Sequence, residues 1–334
     1  MIGIVVSTSE CNLRCKYCYE HAVRHTCQHT RSEANALFCR ELDSLKEYAA
    51  LLTALARRGG RTLQLILHGG EPLLLTRETL LLLFARLKEA GCERIQVQTN
   101  GTLLTPGIAD ALAQYAVSVV LSIDGPEKIH DTYRMDAGGC GSFQRVMKAV
   151  YLLHERAVPV SALATITAAS WDKASVLYDF FNLHHLDFSV NRCFPAAAVG
   201  IDEAADLDEA RYGQFLTELF AQYQQRKEGS VRIHCFDRCL HDLKKTSTGY
   251  LYVPRISPFI SAYHVETHTY KFVATQDVHT FDNADDYMDF VLREMGHTVA
   301  AEDRSYTGTP EECVVAHLCW QQAQDYRAAL EVNV

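Results

Sequence analysis

The sequence predicts an α/β fold, a partial (β/α)6 barrel followed by a smaller C-terminal, cysteine-bearing α+β domain. Three observations carry this. Short β-branched runs alternate with longer helix-patterned segments through the first two-thirds of the chain. Such alternation implies parallel strands joined by right-handed crossovers. Six units of this kind are too few to close an eight-stranded barrel, and the pattern changes character after about residue 195.

In chain order, Ile2–Ser7 reads as the first strand, followed by Thr62–Leu67, Arg94–Gln98 and Val117–Ile123. Val158–Thr167 and Leu186–Asn191 complete the six. Helical patterns fall between them, near Ser32–Arg58, Arg77–Ala90, Pro106–Ala116, Ser142–Arg156 and Trp171–His184. Functional loops belong at the C-terminal ends of the strands, as in complete barrels. Beyond the sixth strand, Ala196–Glu209 is small and acidic, and Ala210–Lys227 reads as a further helix. After Val231 come short strands and turns with cysteines and histidines, ending in a helix. A boundary near residue 230 therefore divides the chain into domains 1–230 and 231–334. No internal repeat is apparent.

The chain has 334 residues, of which 48% are hydrophobic and 22% charged, an ordinary globular composition. Its 32 basic and 41 acidic residues give a net charge of −9, which argues against nucleic acid as a partner. The most apolar run, around Pro72–Leu87, is interrupted by Thr76, Arg77, Glu78 and Arg86, so no membrane span is expected. Met1–Glu10 lacks the basic start and cleavage site of a signal peptide, and a cytoplasmic location is the expectation.

Twelve cysteines are many for a chain in a reducing compartment, where clustered thiols more often mark metal than bridges. Cys11, Cys15 and Cys18 stand in one loop after the first strand; Cys235 with Cys239, and Cys313 with Cys319, form two later pairs. Three thiolates so close together suit zinc or an iron–sulfur cluster. Zinc would need a fourth ligand, for which His21 and His25 are available. A 4Fe–4S cluster held by three cysteines instead leaves one iron open to a substrate or cofactor.

Cys11-x3-Cys15-x2-Cys18, with Tyr17 before the last cysteine, resembles the signature of radical S-adenosylmethionine (SAM) enzymes. The resemblance implies that the open iron chelates SAM, and that one electron cleaves SAM to a 5′-deoxyadenosyl radical that abstracts a substrate hydrogen. An electron donor such as flavodoxin or ferredoxin is implied with it. Later motifs extend the likeness. His68-Gly69-Gly70-Glu71-Pro72, at the end of the second strand, is similar to the motif that holds the SAM amino group. Two glycines let the backbone approach a ligand, and a carboxylate accepts from an ammonium. Thr99-Asn100-Gly101 follows the third strand, and Ser122-Ile123-Asp124-Gly125-Pro126 with His130-Asp131-Thr132-Tyr133-Arg134 follows the fourth. By resemblance to peptide- and protein-maturing members, Ser122 and Arg134 hold the SAM carboxylate, while Tyr17, Asn100 and Asp124 line the same pocket. Guanidinium–carboxylate pairing supplies the physical reason for Arg134.

Those maturases often carry a C-terminal SPASM domain with auxiliary iron–sulfur clusters. Here its pattern is degenerate: Pro254, Pro310 and Ala323 stand where cysteines are expected, and no cysteine follows Cys319. Two complete auxiliary clusters are excluded by ligand count. Cys235, Cys239, Cys313 and Cys319 gather around one residual cluster, or around zinc, or the domain has lost its metal and serves as a substrate lid. His234 and His317 lie near these cysteines and are not assigned as ligands. Cys193, after the sixth strand, is a candidate hydrogen-atom donor at the barrel mouth; the plainer alternative is a packed core cysteine.

The resemblance thus implies a radical SAM enzyme acting on a peptide side chain. The leading expectation is a carbon-centred cross-link in a ribosomally made peptide. A sulfatase-type formylglycine maturase, a peptide epimerase and a small-molecule enzyme are alternatives within the class, and a zinc-binding scaffold is the alternative outside it. The chain starts almost at its first strand, so no fused leader-recognition domain is expected, and a separate leader-binding protein is a candidate partner.

Overall fold

A computed structural model describes residues 2–18, 31–58, 60, 62–193, 203–237, 260–264, 269–273 and 278–281. Six parallel strands alternate with helices as the sequence predicts: β1 (Ile2–Val6), β2 (Gln64–His68), β3 (Arg94–Thr99), β4 (Ser118–Ser122), β5 (Val160–Ile166) and β6 (Asp187–Arg192). The intervening helices are α1 (Arg31–Arg40), α2 (Leu42–Arg58), α3 (Arg77–Glu89), α4 (Pro106–Gln114), α5 (Glu127–Tyr133), α6 (Phe143–Glu155) and α7 (Ala174–Leu183). Helix α8 (Glu209–Gln224) follows β6.

Two differences from the sequence-based assignment are local. The continuous helix expected over Ser32–Arg58 is two helices, broken at Glu41, whose N–H turns back to Phe38 O at 3.1 Å in a tighter i−3 bond. The short helix α5 was not expected.

The chain forms two compact units. The first contains Met1–Ser122, Arg134–Val160 and the later strands β7 (Ile260–His264), β8 (Thr269–Val273) and β9 (Val278–Phe281). Its strands are ordered β4-β3-β2-β1-β7-β8-β9. Strand β7 runs parallel to β1 with Ile4 opposite Ala262, and β8 and β9 return antiparallel. The sheet therefore extends beyond β1 with residues that the sequence assigned to the C-terminal domain.

Burial alternates along these strands, as the period of two demands. Val5, Leu65, Leu67, Val97 and Leu121 are fully buried or within 1% of it. Helix α3 buries Leu80, Leu83, Phe84 and Leu87. Thr76 caps it, accepting from the Thr79 N–H at 3.2 Å. Asn35 of α1 ties this region together, donating to Leu74 O at 3.1 Å and accepting from the Thr76 N–H at 2.7 Å.

The second unit contains Ile123–Tyr133 and the described residues of Ser161–Ile256. Strands β5 and β6 pair in parallel, with Leu163 opposite Ser189. Phe181 of α7 stacks on Phe188 of β6 at 4.4 Å between centroids.

The same helix ending precedes β3, β4, β5 and β6. Cys92, Val117, Val158 and Leu186 each donate to the carbonyl five residues back, at 2.9–3.0 Å. Such Schellman closures place the preceding residue at positive φ, a position that favours glycine. Gly91 occupies the first, but Ala116, Ala157 and His185 occupy the others with φ of 50–52°.

Candidate functional site

The loop after β1 is held in place by the turn after β2. Ser7 N–H donates to His68 O at 2.8 Å, Gly70 N–H to Thr8 O at 2.7 Å, and Glu71 N–H to Glu10 O at 2.8 Å. A Cβ on Gly69, at φ +126°, would collide with the Thr8 carbonyl, and one on Gly70 with the Glu10 carbonyl. The glycine pair, expected to let the backbone approach a ligand, is instead closely approached by the backbone that leads into Cys11.

That loop carries Cys11, Cys15 and Cys18 in the first unit. Cys15 is buried, and the other two are half-buried. Its far side is fixed by Arg14 N–H donating to Met135 O at 2.6 Å and by a bridge between Leu13 and Asp136. Cys11 Sγ accepts from the Leu13 N–H at 3.4 Å and from Asn100 Nδ2 at 3.7 Å. Among the described residues, no three His, Cys, Asp or Glu side chains are gathered as a ready-made cage, the loop cysteines included. The donor chemistry nonetheless fits an iron–sulfur cluster: three thiols within eight residues on an anchored loop, with N–H donors aimed at one sulfur.

Glu71 is 1% exposed and lies at the centre of a second network. Its Oε1 accepts from Leu73 N–H at 2.9 Å and from the Thr99 hydroxyl at 2.5 Å; its Oε2 accepts from Asn100 N–H at 2.8 Å. Burial raises its pKa, against the pull of those three hydrogen bonds. The carboxylate expected to meet an ammonium therefore also joins β2 to the end of β3. A carboxylate offers about four acceptor positions, so three internal donors leave room for one more.

Asn100 is 6% exposed. Its Nδ2 also donates to Asn12 Oδ1 at 3.0 Å, and its Oδ1 accepts from both Thr102 N–H and the Thr102 hydroxyl. Arg134 is 8% exposed, with its guanidinium 5.3 Å from the centroid of the Tyr17 ring, which is itself 7% exposed. This cation–π contact ties two predicted cofactor residues to each other. Ser122 is half-buried at the C-terminal end of β4. Beside the network, a cleft of about 410 Å³ is lined by Thr76, Arg77, Leu104, Ile108 and Thr102, the last shared with the Asn100 cluster.

Asp124 belongs to the second unit. It is 2% exposed, accepts from Thr165 N–H at 2.9 Å, and donates its own N–H to His130 Nδ1 at 3.4 Å. Cys193, also in this unit, is 1% exposed, and its thiol is pushed up to about 12 by burial and by the Asp206 and Asp124 carboxylates. It stays protonated at neutral pH. Cys235 is half-buried. Cys239, Cys313 and Cys319 lie outside the described residues.

The structure adds residues that the motifs did not single out. Thr102 follows the Thr99-Asn100-Gly101 stretch and Asn12 follows the first cysteine; their nearness to the motifs was the available signal, and Thr99, inside the stretch, carried no expected role.

Residues 5–169 match the model of the Radical SAM superfamily. The chain is 28% identical over 259 residues to a serine-type anaerobic sulfatase-maturating enzyme of Bacteroides thetaiotaomicron, covering 69% of this chain and 58% of that one. It is 26% identical over 219 residues to the radical SAM cyclopropyl synthase TigE of Paramaledivibacter caminithermalis, covering 64% and 43% respectively. The chain thus spans under two thirds of the length of these relatives. Among solved structures, native anSMEcpe with bound AdoMet superposes with a TM-score of 0.64 at 23% identity, covering 81% of this chain and 74% of that one. Streptococcus suis SuiB bound to its precursor peptide SuiA gives a TM-score of 0.53 at 17% identity, covering 80% and 58%. At these identities the two structures establish the fold. No helix among the described residues is long and apolar enough to cross a membrane. Residues 5–169 thus form a radical SAM domain, of a superfamily of enzymes whose cofactors are a 4Fe–4S cluster and SAM, and the relatives of the chain include anaerobic sulfatase-maturating enzymes and a radical SAM cyclopropyl synthase.

Proposed function

We propose that the chain is a peptide-modifying radical SAM enzyme that forms a carbon-centred cross-link in a ribosomally made peptide. The observation that carries this reading is the convergence of the Cys11 loop, the Gly69–Glu71 turn, Asn100 and the Arg134–Tyr17 pair within one unit. The relative that makes a cyclopropyl group and the structural neighbour that holds a precursor peptide support the reaction type and the substrate class. Cys11, Cys15 and Cys18 hold the cluster. Glu71 and the Gly69–Gly70 backbone receive the SAM amino group, and Ser122 and Arg134 its carboxylate. Tyr17 and Asn100 line the same pocket, and Asp124 is a further SAM-binding residue. The bound cofactors supply a hydrogen-abstracting radical; the residues here orient SAM and shield the site from water.

Cys235, Cys239, Cys313 and Cys319 are the ligands of one residual cluster, and the chain around them faces the substrate. The partners are the peptide, a separate leader-binding protein and a flavodoxin- or ferredoxin-like electron donor, and the compartment is the reducing cytoplasm. A sulfatase-type reaction, which makes formylglycine, is the second reading, supported by the 28%-identical relative of that type.

Two measurements test this. Iron and sulfide are quantified after anaerobic reconstitution of the parent and a Cys11→Ala/Cys15→Ala/Cys18→Ala variant; the parent should exceed the variant by about four irons. Parent enzyme with SAM, a reductant and a candidate precursor peptide should yield 5′-deoxyadenosine and a peptide lighter by one hydrogen pair and inert to hydrazide. A hydrazide-reactive product would establish the formylglycine reading, and a parent that binds zinc without iron would refute both.

A further inference from the structure

The side-chain amide of Asn100 leads beyond the binding of SAM, and the inference rests on the reading of Cys11, Cys15 and Cys18 as cluster ligands. The two ends of an amide are told apart by their partners. One end of the Asn100 amide receives the Thr102 backbone N–H at 2.9 Å and the Thr102 hydroxyl at 2.6 Å. A backbone N–H only donates, so that end is the oxygen and the opposite end is the NH2. The NH2 gives one hydrogen to Asn12 Oδ1 at 3.0 Å and turns toward Cys11 Sγ, 3.7 Å away.

Asn12 is oriented by the same neighbour. Its Nδ2 donates to Thr102 Oγ1 at 2.8 Å, which sets its oxygen toward Asn100. The Asn100 backbone is pinned independently by its N–H on Glu71 Oε2 at 2.8 Å. At 6% exposure, water has little access to exchange with these contacts. The Leu13 N–H, 3.4 Å from Cys11 Sγ, is a second donor to that sulfur.

Hydrogen bonds to cluster sulfurs and their outer-shell partners set the reduction potential of iron–sulfur centres. A donor at a ligating thiolate stabilises the added negative charge of the reduced form more than the oxidised form, so it raises the potential. We propose that the Asn100 amide, pointed at Cys11 Sγ by Asn12 and Thr102, raises the reduction potential of the cluster that Cys11 holds. Asn12 and Thr102 act through Asn100 and are positioning residues.

The test uses the reconstituted chain without SAM, which separates this effect from any part Asn100 plays in binding SAM. The reduced cluster is followed by its EPR signal as the applied potential is varied. In Asn100→Leu, which removes the donor, the ratio of reduced to oxidised cluster at a fixed potential should fall about tenfold, a shift of about 59 mV for one electron. Asn12→Ala and Thr102→Val keep Asn100 but loosen its aim; both should move the midpoint the same way by a smaller amount, with the parent's iron content retained. These two variants decide the matter if Asn100→Leu does not fold. Variants with full iron and an unmoved midpoint would overturn the proposal while leaving the cluster assignment intact. A parent that takes up no iron would overturn the cluster assignment, and the proposal with it.

Discussion

Replacing Glu71 with Gln preserves its shape and takes away one acceptor from a site that uses both. Oε1 serves the Leu73 N–H and the Thr99 hydroxyl, and Oε2 serves the Asn100 N–H. If the Gln carbonyl takes the first position, its NH2 faces the Asn100 N–H. If it takes the second, its NH2 faces the Leu73 N–H, and only the Thr99 hydroxyl can turn to accept. Either way one backbone donor, buried beneath a side chain 1% exposed, loses its partner. A hydrogen bond to a charged group contributes about 1.5–3 kcal/mol, and a stranded buried donor costs about 1–3 kcal/mol. Removing a buried charge recovers part of that, because burial is the largest influence on the Glu71 pKa.

The expected net loss is about 2–3 kcal/mol at neutral pH. At about 2–4 °C per kcal/mol for a domain of this class, the melting temperature should fall by roughly 4–12 °C. The pH dependence has a definite sign. The folded-state pKa of Glu71 lies above its ordinary value of 4.5, so the folded chain binds the proton more tightly than the unfolded one. The contribution of Glu71 to stability therefore declines as pH rises from about 4.5 to the raised value. Gln lacks that slope, so the gap between parent and variant should be widest below about pH 4.5 and narrow as pH rises above it. Thermal unfolding by circular dichroism across this range measures it. A variant within about 0.5 kcal/mol of the parent, the ordinary range for surface changes, would refute the hydrogen-bond argument, and a gap that widens with pH would refute the linkage argument.

Gly70→Ala should displace the backbone before Cys11, because its Cβ meets the Glu10 carbonyl rather than a yielding side chain. Reconstituted protein should then hold less than half the iron of the parent, and undiminished iron would show that the loop accommodates the methyl group. Among the described cysteines, alkylation of the metal-free protein by iodoacetamide at pH 8 should mark the exposed Cys39 and Cys140 first. Cys193, at 1% exposure and with a thiol pushed up to about 12, should react about a thousandfold more slowly until the chain unfolds. Rapid labelling of native Cys193, read by peptide mass mapping, would contradict its placement.

The sequence by itself determined the six parallel strands and the helices between them, because periods of two and of 3.6 are local properties of residue order. Strand β3 begins at Arg94 as expected, and the caps at Thr76 and Thr105 lie where Thr precedes a helical run. The site was equally legible in its parts: Cys11, Glu71, Asn100 and Arg134 stand in motifs read directly from the chain. Their partners were not. Thr99 stands in a quoted motif without a role, Thr102 differs in no visible way from other threonines, and only the fold places one hydroxyl on Glu71 and the other on the Asn100 amide.

The tertiary structure also decided what the paired glycines are for. Gly69 and Gly70 announce a close approach, but the approaching group is Thr8–Glu10, some sixty residues earlier in the chain. Glycine would likewise be expected at each helix ending before a strand. Ala116, Ala157 and His185 hold positive φ there without glycine's freedom, at a cost of about 1–2 kcal/mol each that the surrounding packing offsets. The addition of β7 beside β1 had no local signature, since strand pairing is a contact between distant segments. A period along the chain reports which face of an element is buried, whereas the partner of that face is set by contacts that no single stretch of sequence contains.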